Sequence, residues 1–346
     1  MSTPAFTQQA DAAIARAFRL MVQPAPGFNM DTAAELSRSL FAVDGTIRPL
    51  TSERDQNFLV EGADGDWVLK ISNAHEDPAV TDFQTQAVNH ALQRDPQLPL
   101  PPFLESRSGR LVETWDTETG SHAVRMLAFV PGQPLKELTR SGRMPTKDFS
   151  FALGELLARL ASALEDFDHP AADHAILWDL THFPALEPLI ESIPDPAERR
   201  ALQACFLGYQ SERQLLQSLP RQVIYNDLND SNVLLDKKLR GTIAGLIDFG
   251  DVVRAPRIFD VAVASSYRLN DEGGPTEFLD GYTSLSPLTE VERYLLPLLV
   301  RCRLATTLLI TQWRAEQFPE NRDYILRNHP AAREALLSFD EATLIP

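Results

Sequence analysis

Apolar and polar positions change their rhythm three times along the chain. Up to about residue 45 they recur at helical steps. In "DTAAELSRSLF", Asp31 or Thr32 suits an N-cap, and Thr32 with Glu35 has capping-box spacing. From Thr46 short apolar runs take over, "TIRPL", "NFLVEG" and "DWVLKIS", separated by polar turns as in antiparallel strands. "ADGD" between the second and third predicts a hairpin. "DPAVTDFQTQAVNHALQ" reads as one helix, and "RLVETW" and "HAVRMLAFV" return to strand texture. After Val130 the punctuation "PGQPL" marks a boundary, and the remainder is mainly helical. There Leu153, Leu156, Leu157, Leu160, Leu164 and Phe167 form one stripe, and Asp195, Pro196 and Glu198 open a helix. The division expected is a helical segment over 1–45, a small sheet lobe over 46–130, and a helical lobe over 131–346.

Length and composition add limits. With 346 residues and 44% hydrophobic content the chain can bury a large core. No segment reads as a bilayer span, since "LLPLLV" is short and Pro297 interrupts it, and the start lacks a signal-peptide pattern. The reading is a cytoplasmic protein with no membrane partner. Cys205 and Cys302 fall in apolar helical patterns and read as buried thiols, and the His residues show no zinc spacing. A net charge of −16 argues against a nucleic-acid partner and suits a cationic substrate weakly.

Chemistry concentrates in "VIYNDLNDSNVLLD" and "GLIDFGD". Asp227 and Asn232 stand at opposite ends of a tight loop between two apolar runs. Asp248 ends the next run. A carboxylate in such a loop can orient a substrate hydroxyl, and a carboxamide oxygen with a second carboxylate suits a hard cation such as Mg²⁺. Phosphoryl transfer needs these parts and a cation on the nucleotide phosphates. Lys70 in "WVLKIS" supplies that cation, and the charged residue on the next helix that could hold it is Asp82.

Taken together, "SERDQNFLV", "WVLKIS", "YNDLNDSNVLL" and "GLIDFGD" resemble the aminoglycoside phosphotransferase family, most narrowly its hydroxylysine kinase branch. The resemblance covers roughly residues 30 to 310 by motif order. It implies a two-lobed protein-kinase-like α+β fold, with a small antiparallel sheet and one helix joined to a larger helical lobe. It implies an ATP- and Mg²⁺-dependent kinase acting on a hydroxyl of a small amine-bearing metabolite. Asp227 would be the catalytic base, Asn232 and Asp248 the metal ligands, and Lys70 the phosphate cation paired with Asp82. Residues 126 to 132 would be the hinge that meets adenine, with Leu127 and Phe129. Two departures stand out. The catalytic loop reads Tyr225-Asn226-Asp227 where the family commonly has His-Gly-Asp. The turn over the phosphates lacks glycine, so Ser52 and Gln56 would supply side-chain donors.

Other residues carry two readings. Trp178 and Asp179 fit an acceptor pocket or a core Trp with a capping Asp. Asp251 fits a group backing the metal site or a loop acid. Arg254 and Arg257 follow the metal motif and could grip a substrate carboxylate or serve the surface. Asp260 reads as a cap or loop brace. The rival functions are an aminoglycoside antibiotic kinase and a nucleotide-binding pseudokinase regulator. A protein kinase is disfavoured because "DFGD" runs into a helical pattern within ten residues. A homodimer is compatible with all of these.

Overall fold

The computed structural model describes residues 12–52, 54–118, 120–143, 145–236, 242–272, 274–340 and 344. Helices α1 (Ala12–Leu20) and α2 (Met30–Phe41) come first. The cap of α2 is Asn29, whose side chain accepts from the Thr32 amide, rather than Asp31 or Thr32. Strands β1 (Gly45–Leu50), β2 (Gln56–Gly62) and β3 (Gly65–Ile71) form a meander, followed by α3 (Pro78–Arg94). The hairpin between β2 and β3 sits at "ADGD", with Gly62 opposite Gly65. Strands β4 (Phe103–Leu104), β5 (Glu113–Thr117) and β6 (Gly120–Ala128) complete a six-stranded antiparallel sheet in which β6 borders β3 on one side and both β4 and β5 on the other.

Beyond the hinge come β7 (Gln133–Pro134), α4 (Leu135–Arg140) and α5 (Lys147–Ala163). A 3₁₀ run over Leu180–Ser192 leads to α6 (Pro196–Ser211) and α7 (Arg213–Ser218). Four short strands follow, β8 (Arg221–Ile224), β9 (Val233–Leu235), β10 (Ile243–Leu246) and β11 (Val253–Pro256). They pair as β10–β9–β7 and β11–β8, so one loop joins β8 to β9 and another joins β10 to β11. Helices α8 (Arg257–Arg268), α9 (Pro275–Leu285), α10 (Glu290–Gln317), α11 (Arg322–Ile325) and α12 (His329–Leu337) close the chain.

Two apolar cores result. The smaller joins α2 to the sheet through Leu36, Phe41, Phe58, Leu69, Ile71 and Met126. The larger holds the predicted stripe, with Leu153, Leu157, Leu160 and Leu164 at 1% exposure or less. Helix α1 belongs to this larger core, where Phe18 meets the Trp313 ring edge-on at 5.1 Å. The segment before residue 45 is therefore shared between lobes. Its connector is pinned to the loop after β3 by Asn73, which donates to the Pro24 carbonyl at 2.7 Å. In the larger lobe Gly154 and Gly281 let α5 and α9 touch, because a Cβ on either would strike the backbone of Phe278 or Phe151.

Helix α10 corrects the sequence reading. It runs 28 residues straight through Pro297 and by length and composition could cross a bilayer. In this structure 78% of its apolar window is buried inside the protein, so it is a core helix. Cys205 and Cys302 are buried free thiols, and burial pushes the Cys205 thiol up to about 11.

Candidate active site

The catalytic loop is held by its flanks. Asp260, from the first turn of α8, accepts hydrogen bonds from the backbone amides of Tyr225 at 3.0 Å and Asn226 at 2.8 Å. It is thus the loop brace of the two readings, and burial raises its carboxyl to about 6. Asn226 is fully buried with φ +64°, a left-handed conformation unusual for a non-glycine residue. Its Nδ2 donates to the Asp251 carbonyl at 3.3 Å. Tyr225 stands where the family commonly has His. Its hydroxyl donates to the Ile247 carbonyl and its ring meets Phe249 at 4.9 Å, so it ties this loop to the metal loop.

Asp227 projects between the two loops. Its carboxylate accepts from Asn229 Nδ2 at 2.8 Å and Asn232 Nδ2 at 2.7 Å. Arg303 Nη2, from α10, lies 3.6 Å away. Burial and the neighbouring Asp251 raise the Asp227 carboxyl to about 8, and Arg303 opposes them only in part. Asp248 follows Ile247 with φ +64°, and its Oδ1 accepts from the Gly250 amide at 3.1 Å. About half of its side chain is exposed. Enclosure works against its ionisation, but Lys70 and Arg54 outweigh that and hold its carboxyl below the usual range.

Lys70 Nζ lies 3.7 Å from Asp55 and 4.0 Å from Asp248. Its small-lobe acid is therefore Asp55, from the β1–β2 turn, and not Asp82. Asp82 instead faces His169 at 3.2 Å. The helical phase explains the difference, because residues two apart lie about 200° around a helix. Gln84, not Asp82, faces inward, accepting from Arg125 at 3.1 Å and donating to the Gly250 carbonyl at 3.0 Å.

These residues border one cleft of about 620 Å³. Ser52, Lys70, Leu127, Phe129, Trp178, Asp227, Asn232, Asp248 and Asp251 all line it. The hinge amides of Ala128 and Phe129 are bonded to the carbonyls of Pro102 and Asp66, so neither is the adenine donor in this conformation. Contacts decide three further readings. Gln56 holds both backbone groups of Phe28, at 2.8 and 2.7 Å, and serves the fold. Asp179 is buried and caps the 3₁₀ run at the Thr181 amide. Arg254 pairs with Asp168 and with Asp173, and Arg257 with Glu292, so neither faces the cleft.

The model of the phosphotransferase enzyme family, APH, matches residues 46–293. The chain belongs to that family. The protein is thus a phosphotransferase of the kinase-like fold. A hydroxylysine kinase from Mus musculus is 29% identical across 87% of this chain and 86% of its own. A homoserine kinase from Xanthobacter autotrophicus is 27% identical across 71% of this chain and 73% of its own. Among solved structures, a microcompartment-associated aminopropanol kinase superposes with a TM-score of 0.67 at 22% identity, covering 91% of this chain and all of that one.

Within this phosphotransferase, the sequence reading passed over three cleft cations. Arg54 reaches from the glycine-free turn to Asp251 at 2.8 Å, bridging the two lobes. It lies inside the turn sequence "SERDQNF" and answers the missing glycines with a guanidinium. Arg303 spreads over the Trp178 ring at 5.0 Å and donates to its carbonyl at 3.1 Å. Arg327 stacks on Tyr324 at 3.9 Å and also lines the cleft. A legible signal for Arg303 was the polar series Arg303, Thr307, Thr311 and Arg314 inside an apolar helix.

Proposed function

We propose that this phosphotransferase moves the γ-phosphoryl group of ATP to a hydroxyl of a small amine-bearing metabolite such as hydroxylysine, homoserine or a related amino alcohol. The observation that carries the reading is the arrival of Asp227, Asn232, Asp248 and Lys70 at one cleft from both lobes. Asp227 accepts the hydrogen bond of the incoming hydroxyl and aims its oxygen. Lys70, kept in place by Asp55, takes the nucleotide phosphates, and Arg54 closes the turn above them. Leu127 and Phe129 wall the adenine end.

The donor set fits a hard divalent cation, and we assign Mg²⁺. Asn232 turns its amide nitrogen toward Asp227, which leaves its carbonyl oxygen for a metal, beside the half-exposed Asp248 carboxylate. Among the described residues no three acidic, His or Cys side chains converge on a metal position. Phosphate oxygens and water would supply the rest of its ligands when the nucleotide is bound. When bound, the cation neutralises charge building on the transferring group. The names of the curated relatives support the acceptor class, and the intact Asp227, Asn232, Asp248 and Lys70 favour a kinase over a pseudokinase.

The test is acceptor-dependent ADP release across hydroxylated amino acids, amino alcohols and aminoglycosides. Activity is expected with one of the first two groups and is lost in Asp227→Asn and in EDTA. Equal turnover by that variant removes the role of Asp227.

A further inference from the structure

The Asp227 carboxylate is held by its own loop and by one cation from elsewhere. Asn229 Nδ2 donates to its Oδ1 at 2.8 Å, and Asn232 Nδ2 to its Oδ2 at 2.7 Å. Both asparagines follow Asp227 within the same loop. They fix the carboxylate relative to that loop and not to the rest of the cleft. Among the described residues the only cation within 4.0 Å of Asp227 is Arg303, whose Nη2 lies 3.6 Å from Oδ1. That is an ion-pair distance, longer than a hydrogen bond. The Arg303 side chain, from the middle of α10, is only 2% exposed. Its own position is set by contacts outside the catalytic loop. Nη1 donates to the Trp178 carbonyl at 3.1 Å, and the guanidinium lies over the Trp178 ring at 5.0 Å. It also hydrogen-bonds the Tyr267 side chain near the end of α8. Trp178, Tyr267 and Arg303 all line the cleft with Asp227.

Joining α10 to the Trp178 segment does not by itself account for a guanidinium at this place. Its Nε is buried with no hydrogen-bond partner. An unbranched methionine would fill the space without that cost and without a buried charge. The charge has a use at Asp227. A carboxylate taken out of water calls for a counter-charge, and the two asparagines, being neutral, supply none. We propose that Arg303 is a positioning residue for phosphoryl transfer: it holds the Asp227 carboxylate, and its charge, in the orientation that receives the acceptor hydroxyl. Arg303 acts through Asp227 and needs no contact with acceptor, nucleotide or metal. The inference rests on the kinase reading above and gives the core helix α10 a part in the reaction.

The test uses the full chain with ATP and Mg²⁺, and with 5-hydroxylysine, L-homoserine and 3-aminopropan-1-ol as acceptors. Arg303→Met removes the charge and Arg303→Lys keeps it. For an acceptor that the wild type uses, Arg303→Met is expected to lower kcat roughly ten- to a hundredfold, with KM for ATP changed by no more than about twofold. Arg303→Lys is expected to fall between the two, with the same unchanged KM. A kcat within about twofold of wild type, equal losses in both variants, or KM for ATP rising as kcat falls overturns the positioning role and leaves the kinase standing. If Arg303→Met does not fold, Arg303→Lys decides by the same split between kcat and KM. Melting curves in EDTA at about pH 9, with Asp227 ionised, read the contact without turnover. There each Arg303 variant is expected to lower the melting temperature less in the Asp227→Asn background than in wild type. If no acceptor is phosphorylated, the kinase reading falls and the melts decide the contact alone. Unequal losses then keep the hold of Arg303 on Asp227, and equal losses remove it.

Discussion

Asp227 offers a measurement that needs no substrate. Its carboxyl is raised from 3.8 to about 8, first by burial and then by Asp251. A raised folded value means that folding favours the protonated form. The stability it contributes is complete below about 3.8 and is lost as pH rises through about 8. Asp227→Asn removes the titration and keeps a neutral group of the same shape. The variant loses one acceptor oxygen, a cost nearly the same at every pH, whereas the attraction to Arg303 acts only on the ionised carboxyl and is already contained in its raised value. What changes with pH is the wild-type penalty alone. Between pH 5.5 and about 8 it grows by roughly 3 kcal/mol, at 1.36 kcal/mol per pKa unit. For a chain of this length that is about 4 °C in melting temperature. Thermal melts of both proteins in EDTA without nucleotide, from pH 5.5 to 9, provide the assay. The difference between variant and wild type should move in the variant's favour by that amount. A difference independent of pH refutes the argument, because it would mean that Asp227 ionises at an ordinary value.

Three other expectations follow from contacts. Arg54→Ala leaves Asp251 without its 2.8 Å partner beside Asp248, and steady-state kinetics should show KM for ATP raised by about tenfold or more. Asp260→Asn keeps one acceptor for two backbone amides and so costs about 2 kcal/mol, seen as a melting temperature lower by about 3 °C. Gly281→Ala drives a methyl into the Phe151 backbone across the α5–α9 contact. It should cost about 1–3 kcal/mol in denaturant unfolding, with KM for ATP unaffected.

The sequence alone determined the elements whose periodicity was strong and the site parts that travel as local motifs. The α5 stripe, the Asp195 cap and the β2–β3 hairpin were legible because each is fixed by residues a few positions apart. Asp227, Asn232, Asp248 and Lys70 were legible as a group because they stand in short, ordered motifs, and the structure brings all four to one cleft. Tertiary structure decided which charge meets which. Asp82 and Asp55 are both acids near Lys70 in sequence, and only helix phase and the β1–β2 turn set Asp55 beside it. Arg254 looked close to the metal motif, yet the β11–β8 pairing leads it to Asp168 and Asp173. Arg303 and Arg327 lie 76 and 100 residues after Asp227, and only the packing of α10 against the catalytic loop brings them to its cleft. Short-range order is written into neighbouring residues, whereas the pairing of charges from distant segments exists only once they are folded together.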